Sequence, residues 1–573
     1  MGVPRLAGWL FSTFPNAVKH FQSGEFIFHI DNLYIDAASL LHACNQQVHN
    51  YGQKKRHLDP YKNLTPLAKQ NLAFKLFFES IVQLAEIVVP SKTLYIAIDG
   101  FAPIAKQAEQ RKRRFVAAST RGGTADGTVF DSNSMTPGTV FMLELNKYMH
   151  YMIRNKINST PSWRNLNVIF SSFRVPGEAE HKLMDYIRAL PRYVSENESH
   201  CVFGPDGDLI MLTLSAHLPK MYLFREDQYS IGFYHLIDMG MVRENLPSSL
   251  GQASLVMDGT RTLNEVTDDF ILAGFFVGND FLPKIQMFMF LEDGLELMLA
   301  TVTRLAGSGT FLTEHEKISH AGFTRFVEEL ARREIVYIAD QARIPPADPR
   351  FKNETLLKHM SGSKLDMGGY REDYYKKANI DIDDGFAVKN IALASLQSMA
   401  WVFEYYIHGL SNWRQFYHYH YAPLMGDLVE AMQEITPDEI DFAYLIEKNS
   451  PSAPFVQLIS VLPPNSAHLL PAPFRHLLQS PTSPLVKAGF YPKEFKIDYE
   501  GKTKEHMGVA LLPFVDIDKV IEAYTPIAAE LKNTYVRNTR GRPESFRYDP
   551  KYLAEYRSDY GNISKVKVRK TIL

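Results

Sequence analysis

From the start of the chain to about residue 345, short apolar runs alternate with longer stretches of helical period. This alternation predicts an α/β domain with a largely parallel central sheet flanked by helices. The strand candidates, which each run into or just precede an acidic or glycine-containing turn, are 26–36, 94–99, 168–173 and 201–203. Because ligands of open α/β sheets bind beyond the carboxyl ends of the strands, acids there can converge although they are remote in sequence.

A stretch at about 340–372, containing several Pro, Gly and Lys residues, predicts a boundary between a first region, 1–345, and a second, 346–573. The second region is expected to be mostly helical and packed against the first, since 370–408 has helical period and an aromatic surplus. Within the first region, 119–138 is rich in Gly, Thr, Ser and Asp. It predicts a long ordered loop or flap, with a disordered linker as the alternative.

Seven carboxylates stand out at predicted strand ends or turns, in the settings IDNLYID, IAIDG, VPGEAEH, GPDGDLI and VGNDFLP. If their backbone is extended, Asp206 and Asp208 share one face, because side chains alternate with period two along a strand. A single Asp is about as often a turn residue or a helix cap, so the hypothesis depends on the whole set. The set is Asp36, Asp99, Glu178, Glu180, Asp206, Asp208 and Asp280.

Clustered carboxylates without His or Cys favour Mg²⁺ or Mn²⁺ over zinc, because hard divalent cations prefer oxygen ligands. We expect two ions. Such a site supports phosphodiester hydrolysis, in which one ion lowers the pKa of the attacking water and the other stabilises the leaving oxygen. No protein nucleophile is required.

A basic helix is predicted directly after Asp99, in the segment GFAPIAKQAEQRKRRF. Lys106, Gln110 and Arg113 follow the spacing i, i+4, i+7 and share one helical face, with Arg114 adjoining it. Beside a metal cluster, this face would bind a terminal phosphate through charge-assisted hydrogen bonds. A basic run alone is more often a solvated helix or a localisation patch, but its position next to Asp99 favours phosphate binding.

The segment 401–423, WVFEYYIHGLSNWRQFYHYHYAP, is unusually dense in aromatic residues. Exposed rings there could stack on unpaired bases without reading their sequence. Most of these rings are nevertheless expected to fill a core. His42, six residues after Asp36, is predicted on the helix that leaves the first strand, where a lone histidine is more often structural.

The composition excludes several classes of protein but does not indicate a function. Lys plus Arg number 62 and Asp plus Glu 64, so the net charge is silent on partners and any basic surface must be local. The two cysteines, Cys44 and Cys201, exclude a disulfide framework and a Cys-rich zinc site. The N-terminus has no long apolar run, and the apolar stretch at about 275–291 is interrupted by polar residues and a proline, so we expect neither secretion nor membrane spanning. The expected compartment is the cytoplasm, with the nucleus as the alternative.

One ordered series of motifs runs through residues 1 to about 549: MGVP, DNLYID, IDGFAPIAKQAEQRKRRF, FDSNSMTPGT, VPGEAEHK, GPDGDLI, VGNDFLP, HYAP and GVALLPFVD. This series closely resembles the eukaryotic 5′-to-3′ exoribonuclease family, Xrn, and covers both of its signature regions. The resemblance implies a nuclease core of the PIN/flap-nuclease type in 1–345. It also implies that 346–573 is the second signature region, which closes the active site.

The resemblance also implies roles for individual residues. The seven carboxylates match the family's metal-binding acids, His42 matches a histidine that stacks near the first nucleotides, and Trp413 is the candidate aromatic partner. The implied activity is processive release of mononucleotide 5′-phosphates from single-stranded RNA through a narrow opening that rejects duplexes. The residues that match the pocket for the 5′-monophosphate are Lys106, Gln110, Arg113 and Arg114.

Several positions depart from the family pattern, but none of the acids does. Gln415 stands where the family usually has the second Trp of a WxW pair, so Trp413 is the one tryptophan of that pair in this chain. The other departures are Ile104 for a basic residue, Ala38 for Asn, Gly207 for Ala, Lys284 for His, and His506 with Met507 in the place of a Trp.

Two other functions are compatible with part of this pattern. A structure-specific DNA nuclease of the flap type shares the acidic chemistry, but the FDSNSMTPGT and HYAP segments argue against it. An inactive RNA-binding scaffold would be expected to have lost metal acids, and none is missing. The chain ends soon after the second signature region, so the resemblance implies a minimal member without long C-terminal domains. We expect a monomer that acts on RNA carrying a 5′-monophosphate.

Overall fold

The computed structural model describes residues 3, 5–25, 27–120, 130–227, 230, 232–289, 294–434, 449–531 and 535–573. Nine of its strands form one central sheet, and eight short or peripheral strands form two-stranded ribbons. The strands are β1 (Val18–Gln22), β2 (Phe28–Asp36), β3 (Val88–Ala97), β4 (Asn167–Ser171), β5 (His200–Phe203), β6 (Met221–Glu226), β7 (Phe233–Asp238), β8 (Thr313–Glu314), β9 (Lys317–Ile318), β10 (Met360–Ser361), β11 (Lys364–Leu365), β12 (Ile497–Asp498), β13 (Val509–Ala510), β14 (Glu544–Tyr548), β15 (Ala554–Ser558), β16 (Gly561–Val566) and β17 (Val568–Ile572).

The central sheet has the strand order β1-β7-β6-β5-β2-β3-β4-β14-β17. Its five middle strands, from β6 to β4, are parallel, and the two strands on either side are antiparallel. The chain goes from β2 to one side through β3 and β4, then returns to the other side through β5 and β6. Ligands of such sheets bind where the direction of winding reverses, which here is between β2 and β5.

Helices cover both faces of the sheet and build the second region. They are α1 (Leu6–Thr13), α2 (Ala38–His49), α3 (Pro66–Ile87), α4 (Ile104–Thr120), α5 (Val140–Ser159), α6 (Ala179–Arg188), α7 (Arg192–Asn197), α8 (Asp208–Ser215), α9 (Met239–Ser249), α10 (Ala253–Met257), α11 (Leu263–Val277), α12 (Gly294–Gly307), α13 (His320–Gln341), α14 (Glu354–Lys358), α15 (Met367–Lys377), α16 (Gly385–Ile407), α17 (Met425–Gln433), α18 (Pro454–Val461), α19 (Ala472–Gln479), α20 (Pro484–Lys487) and α21 (Ile517–Glu530).

Three apolar cores hold these layers together. One lies on the sheet face covered by α2, α3 and α5, and the largest extends from the other face through α6, α8 and α11 into α13 and α16. The third core joins α18, α19 and α21 to Phe115 on α4. Burial of these faces, rather than helix propensity, is what stabilises the helices. Helix α4 is therefore fixed between the sheet domain and the second region.

The predicted α/β class, with a largely parallel central sheet and a mostly helical second region, is confirmed. The four strand candidates correspond to β2, β3, β4 and β5, although Phe26 lies outside the described residues. Of the predicted flap at 119–138, residues 121–129 also lie outside the described part of the chain. The helical period at 370–408 corresponds to α15 and α16.

The division at residue 345 stays a prediction. Strands β14 and β17, which come from the second region by sequence, pair next to β4 in the central sheet. Ser545, for example, lies opposite Ile169 in this ladder. The end of the chain therefore completes the sheet that the first part begins.

Helix α16 is the one described helix that is long and apolar enough to cross a membrane by length and composition. More than half of that apolar window, 56%, is buried inside the protein. A core helix passes the same test, and α16 contributes Trp401, Tyr405 and Tyr406 to the largest core.

Candidate active site

A cavity of about 830 Å³ opens beyond the carboxyl ends of the central parallel strands. Its wall contains acids from five separate segments of the chain. Asp36 is the last residue of β2, and Asp99 follows β3 by two residues. All seven predicted carboxylates line this cavity: Asp36, Asp99, Glu178, Glu180, Asp206, Asp208 and Asp280.

The Asp206–Asp208 pair reaches the cavity by a different route from the extended strand considered above. Asp206 lies in the turn after β5, Gly207 has helical backbone angles, and Asp208 is the first residue of α8. The side-chain alternation of a strand therefore does not apply. An acid in the first turn of a helix is also favoured by the helix dipole, which the DxD pattern alone does not reveal.

Backbone hydrogen bonds hold several of the acids in place. The Ala38 N–H donates to Asp36 Oδ1 at 3.1 Å, and the Ala179 N–H donates to Asp99 Oδ1 at 2.9 Å. The second bond ties the end of β3 to the start of α6. Gly100 allows this close approach, because a Cβ there would lie 1.7 Å from the carbonyl oxygen of Val175. The glycine of the IDG motif is thus a packing requirement of the site.

The turn that carries Asp280 is fixed by its neighbour Asn279. The Asn279 Oδ1 accepts hydrogen bonds from the N–H groups of Phe281 and Leu282, both at 2.9 Å. Such Asx turns let a chain leave a helix without unpaired backbone groups. The GND motif after α11 therefore presents its carboxylate from a rigid turn.

Burial and mutual repulsion disfavour the charged forms of several of these acids. Burial, followed by the charges of Asp99 and Asp206, raises the pKa of Asp36 well above its usual range. Burial and Asp280 raise the pKa of Asp208 to about 7. The pKa of Glu180 is also raised well above its usual range, by burial and then by neighbouring acids. These carboxylates would be stabilised by a bound cation.

The donor set suits a hard divalent cation. Glu178, Glu180 and His181 each offer a ligand atom, and these atoms lie within 4.8 Å of one another. His181 was not among the predicted residues, and its ring stacks on that of Tyr405 at 3.6 Å. The wall of the cavity itself offers carboxylate oxygens, which hard cations prefer.

Lys106 lies among the acids rather than apart from them. Its Nζ is 2.8 Å from Glu178 Oε2 and 2.8 Å from Asp280 Oδ2. Burial lowers the pKa of Lys106, but Glu178 and Asp280 outweigh that effect and raise it well above its usual range. In turn, burial would raise the pKa of Asp280, yet Lys106 contributes to holding it below its ordinary value. The ammonium group joins α4 to the loops before α6 and after α11.

The other predicted phosphate-pocket residues divide into two groups. Gln110 and Arg113 line the cavity on the same face of α4 as Lys106, whereas Arg114 does not line it. Arg113 is exposed to the cavity and its Nε is 2.6 Å from Glu109 Oε1. Burial lowers the pKa of Arg114 to about 10, and its Nη1 has no hydrogen-bond partner within the described part of the chain.

His42 and Trp413 are placed differently from each other. His42 lies on the cavity wall with its side chain accessible, and desolvation by the surrounding protein lowers its pKa. The carbonyl of Trp413 accepts a 2.9 Å hydrogen bond from the N–H of Ile104, at the first residue of α4. Trp413 is not among the described residues that line the cavity. Its stacking role stays a prediction.

Sequence reasoning missed three residues that support the acids. Lys182 is buried, and its Nζ donates to the carbonyl oxygens of Ile98 at 2.6 Å and Ser172 at 3.1 Å, which binds the ends of β3 and β4 together. The Tyr405 hydroxyl donates to Glu178 Oε1 at 3.2 Å. The only signal for Lys182 was its position one helical turn after Glu178, and Tyr405 was hidden in the aromatic segment.

Arg225, at the end of β6, is the third missed residue. It lines the cavity with only 6% of its surface exposed, and its Nη2 donates to the carbonyl of Pro205 at 2.6 Å. It therefore braces the turn that carries Asp206. Arg111, from the basic run on α4, points the other way and donates to the carbonyls of Ser460 and Phe490. Part of that run is structural.

Two family models match the chain. The model described as XRN 5′-3′ exonuclease N-terminus matches residues 1–227, which contain six of the seven acids and all of α4. The model described as Xrn1 helical domain matches 260–362 and 360–555, which contain Asp280 and the aromatic segment.

Curated relatives align over most of the chain. The 5′-3′ exoribonuclease 1 of Homo sapiens is 29% identical, covering 93% of this chain and 34% of that protein. The 5′-3′ exoribonuclease 1 of Schizosaccharomyces pombe is 28% identical, covering 91% and 48%, and the 5′-3′ exoribonuclease 2 of Arabidopsis thaliana is 27% identical, covering 94% and 68%. The chain thus spans between a third and a half of the length of the first two relatives. The catalytic core of Rad2 with a DNA substrate aligns with 76% of this chain and 99% of its own at 12% identity, but its TM-score of 0.32 carries no argument.

Proposed function

Because this chain belongs to the XRN 5′-3′ exonuclease family, we propose that it is a 5′-to-3′ exoribonuclease. Its substrate is single-stranded RNA that carries a 5′-monophosphate, and its products are mononucleotide 5′-phosphates. The relatives named above are 5′-3′ exoribonucleases, which supports the reaction class. A flap-type DNA nuclease and an inactive scaffold are the alternatives.

This proposal rests on one observation, which is that acidic and cationic side chains line the same cavity. Seven carboxylates and the cationic face of α4 line the same space of about 830 Å³. Metal-assisted phosphodiester hydrolysis needs the acids, and selection of a charged RNA end needs the cations. Since both lie in one enclosure, the end that is recognised is also the end that is cut.

The chain's own residues bind and orient the RNA. Arg113 and Gln110 hold the terminal phosphate, since both are on the cavity wall and Arg113 can exchange Glu109 for a phosphate. Arg114 adds positive charge behind them. His42 is accessible on the cavity wall and contacts the first nucleotide, and Trp413 is the candidate for stacking on a base.

The carboxylates Asp36, Asp99, Glu178, Glu180, Asp206, Asp208 and Asp280 would hold Mg²⁺ or Mn²⁺, with two ions as the expected number. Such ions supply an activated water and stabilise the leaving oxygen. Lys106 orients Glu178 and Asp280 through its two 2.8 Å contacts. After each cut, the new 5′-monophosphate enters the same pocket, so one specificity element serves every cycle.

The enclosure also accounts for the preference for single strands. Residues at the start of the chain, from Arg5 to Gly8, also line the cavity. We infer that the opening admits one strand and that the protein acts as a monomer in the cytoplasm, with the nucleus as the alternative compartment.

The decisive experiment is digestion of one 3′-labelled single-stranded RNA with a 5′-monophosphate, a 5′-triphosphate or a 5′-hydroxyl, in the presence of magnesium. Matched DNA and the Asp208→Ala protein serve as controls. We expect loss of the monophosphate RNA alone, with mononucleotide products and no activity in the variant. Indifference to the 5′ end, or a preference for branched DNA, would favour the flap-type nuclease. Binding without cleavage would favour the scaffold.

A further inference from the structure

A second cavity, of about 470 Å³, lies where β4 and β5 begin, at the other end of the parallel strands from the acids. Its volume is within the range of small-molecule sites, roughly 300–1,000 Å³. Asn32, Thr93 and Asn167 form its floor, because the strand register places them side by side on β2, β3 and β4. The two cavities have no lining residue in common.

Two guanidinium groups on its wall have no acidic partner in the described part of the chain. Arg547 Nε donates to Asn167 Oδ1 at 3.0 Å, and Arg164 Nη2 donates to the carbonyl of Asn158 at 3.1 Å. The Arg164 Nε is buried without any hydrogen-bond partner among the described residues. The charge of each arginine is therefore uncompensated by an acid in the part of the chain that the structure describes, and the exposed Arg547 can reach a ligand.

The ladder between β14 and β17 places a second arginine opposite Arg547. Arg547 lies directly opposite Arg569, and like charges in that position destabilise a pair of strands. Arg569 is neutralised by Asp549 at 2.6 Å, whereas Arg547 is not neutralised in this way. An anion bound beside Arg547 would relieve the imbalance.

The opposite wall is polar, and its ammonium group faces two carboxylates. Lys92 Nζ is 2.8 Å from Glu198 Oε1 and 3.4 Å from Asp31 Oδ1, so its charge is already compensated. Asn32 Nδ2 donates to the other oxygen of Glu198 at 2.8 Å. This side offers amide and hydroxyl groups, and the unbalanced charge of the cavity comes from the two arginines.

Two aromatic rings complete the lining. Tyr186 is held by Tyr95, with ring centroids 4.9 Å apart, and Tyr548 packs under the guanidinium of Arg164 at 5.1 Å. Aromatic faces bind nucleobases by stacking, and guanidinium groups bind phosphate by paired hydrogen bonds. A pocket that offers both, with amides between them, suits a ligand that has a ring and a phosphate.

We propose that this cavity binds a nucleoside 5′-phosphate, with Arg164 and Arg547 on the phosphate and Tyr186 and Tyr548 beside the base. The site is separate from the acidic cavity, and its occupancy does not depend on the proposed hydrolysis. A mononucleotide is also the class of molecule that the proposed reaction releases, so the site would report the accumulation of product.

The test is photolabelling of the full-length Asp208→Ala protein with 8-azido-AMP, followed by mass spectrometry of the labelled peptides. We expect label on peptides that contain Tyr186 or Tyr548. AMP should compete, whereas adenosine and inorganic phosphate at the same concentration should not. Arg164→Gln and Arg547→Gln should each weaken competition by AMP about tenfold, as expected for loss of one charge-assisted contact.

The matched control is Arg557→Gln, which removes an exposed arginine that pairs with Glu555 and does not line the cavity. This variant should be photolabelled to the same extent as the Asp208→Ala protein that carries no further change. Because Arg547 is exposed, its variant is expected to fold even if the Arg164 variant does not, and a thermal melt checks both. Label confined to the acidic cavity, equal competition by adenosine, or equal loss in all three variants would overturn the proposal. Stronger displacement by a 5′-hydroxyl oligoribonucleotide than by AMP would overturn it in favour of an RNA groove.

Discussion

The two ends of the central sheet carry opposite charge imbalances. At the carboxyl ends of the strands, seven acids crowd one cavity and Lys106 compensates two of them. At the other end, Arg164 and Arg547 face a smaller cavity without an acidic partner in the described part of the chain. We propose that the first end binds cations and the second an anion. Both imbalances lie outside the apolar layers, where a ligand can reach them, and each can be tested by changing one charge.

Replacing Asp208 by Ala should have the largest effect on the acidic end. Asp208 lies at the first residue of α8 and its ordinary charge is disfavoured by burial and by Asp280. Removing it takes away a proposed metal ligand but also a repulsion. We expect cleavage to fall by about a thousandfold or more, as for loss of a metal-held group, with little loss of folding. Retained activity in a clean preparation, measured on labelled RNA, would refute the metal role.

Lys106→Met should produce the next largest effect, on stability in the absence of metal. The ammonium is mostly buried between Glu178 and Asp280, and breaking such a pair typically costs about 3 kcal/mol because it leaves charges uncompensated. In EDTA, we expect urea unfolding to show this decrease in the free energy of unfolding. Added Mg²⁺ should restore a large part of it, since a cation can replace the missing charge.

The control for this variant is Lys75→Met, which removes an exposed ammonium 3.8 Å from Glu79 on α3. Its stability should be unchanged in both conditions, as for most exposed pairs. An equal loss for Lys106→Met with and without Mg²⁺ would mean that Lys106 acts by packing rather than by charge.

The acidic end should also make the metal-free protein less stable as the pH rises. The pKa of Asp208 is raised from its ordinary value of 3.8 to about 7, so the folded state binds this proton more tightly than the unfolded state. The resulting stabilisation is complete below pH 4 and is lost as the pH rises through 7. Between pH 5 and 7 the loss from this group is about 2 kcal/mol. Urea unfolding in EDTA at several pH values measures this loss. Asp208→Asn should flatten the dependence of the unfolding free energy on pH. An unchanged dependence in the variant would contradict the assignment of the effect to Asp208.

The sequence revealed the acidic end better than the basic one for a physical reason. Parallel strands end at the same edge, so acids that follow predicted strands could be expected to meet, and Asp36 and Asp99 do. A helical repeat likewise put Lys106, Gln110 and Arg113 on one face. These are local patterns, and local patterns are readable without the fold.

The rest depended on contacts between distant segments. That Lys106 pairs with Glu178 and Asp280 depends on how α4 packs beside α6 and α11, and no spacing encodes it. The basic cavity requires β14 to pair with β4, which brings Arg547 beside Asn167. The position of Trp413 is likewise set by packing of the second region against α4, whose first residue donates to its carbonyl.

Arg113→Ala should have the smallest effect, on selection of the RNA end rather than on chemistry. Arg113 lines the acidic cavity and is now paired with Glu109, so its loss removes one charge-assisted contact to the terminal phosphate. We expect the preference for 5′-monophosphate over 5′-hydroxyl RNA to fall by about tenfold, mainly through KM.

The matched control is Arg192→Ala, another exposed arginine with a glutamate one turn away, at 2.6 Å, but outside both cavities. If the control lost the same preference, the effect would be one of overall charge. If neither did, phosphate selection would have to lie with Gln110 and Arg114, and the positive face of α4 would be divided between structure and recognition.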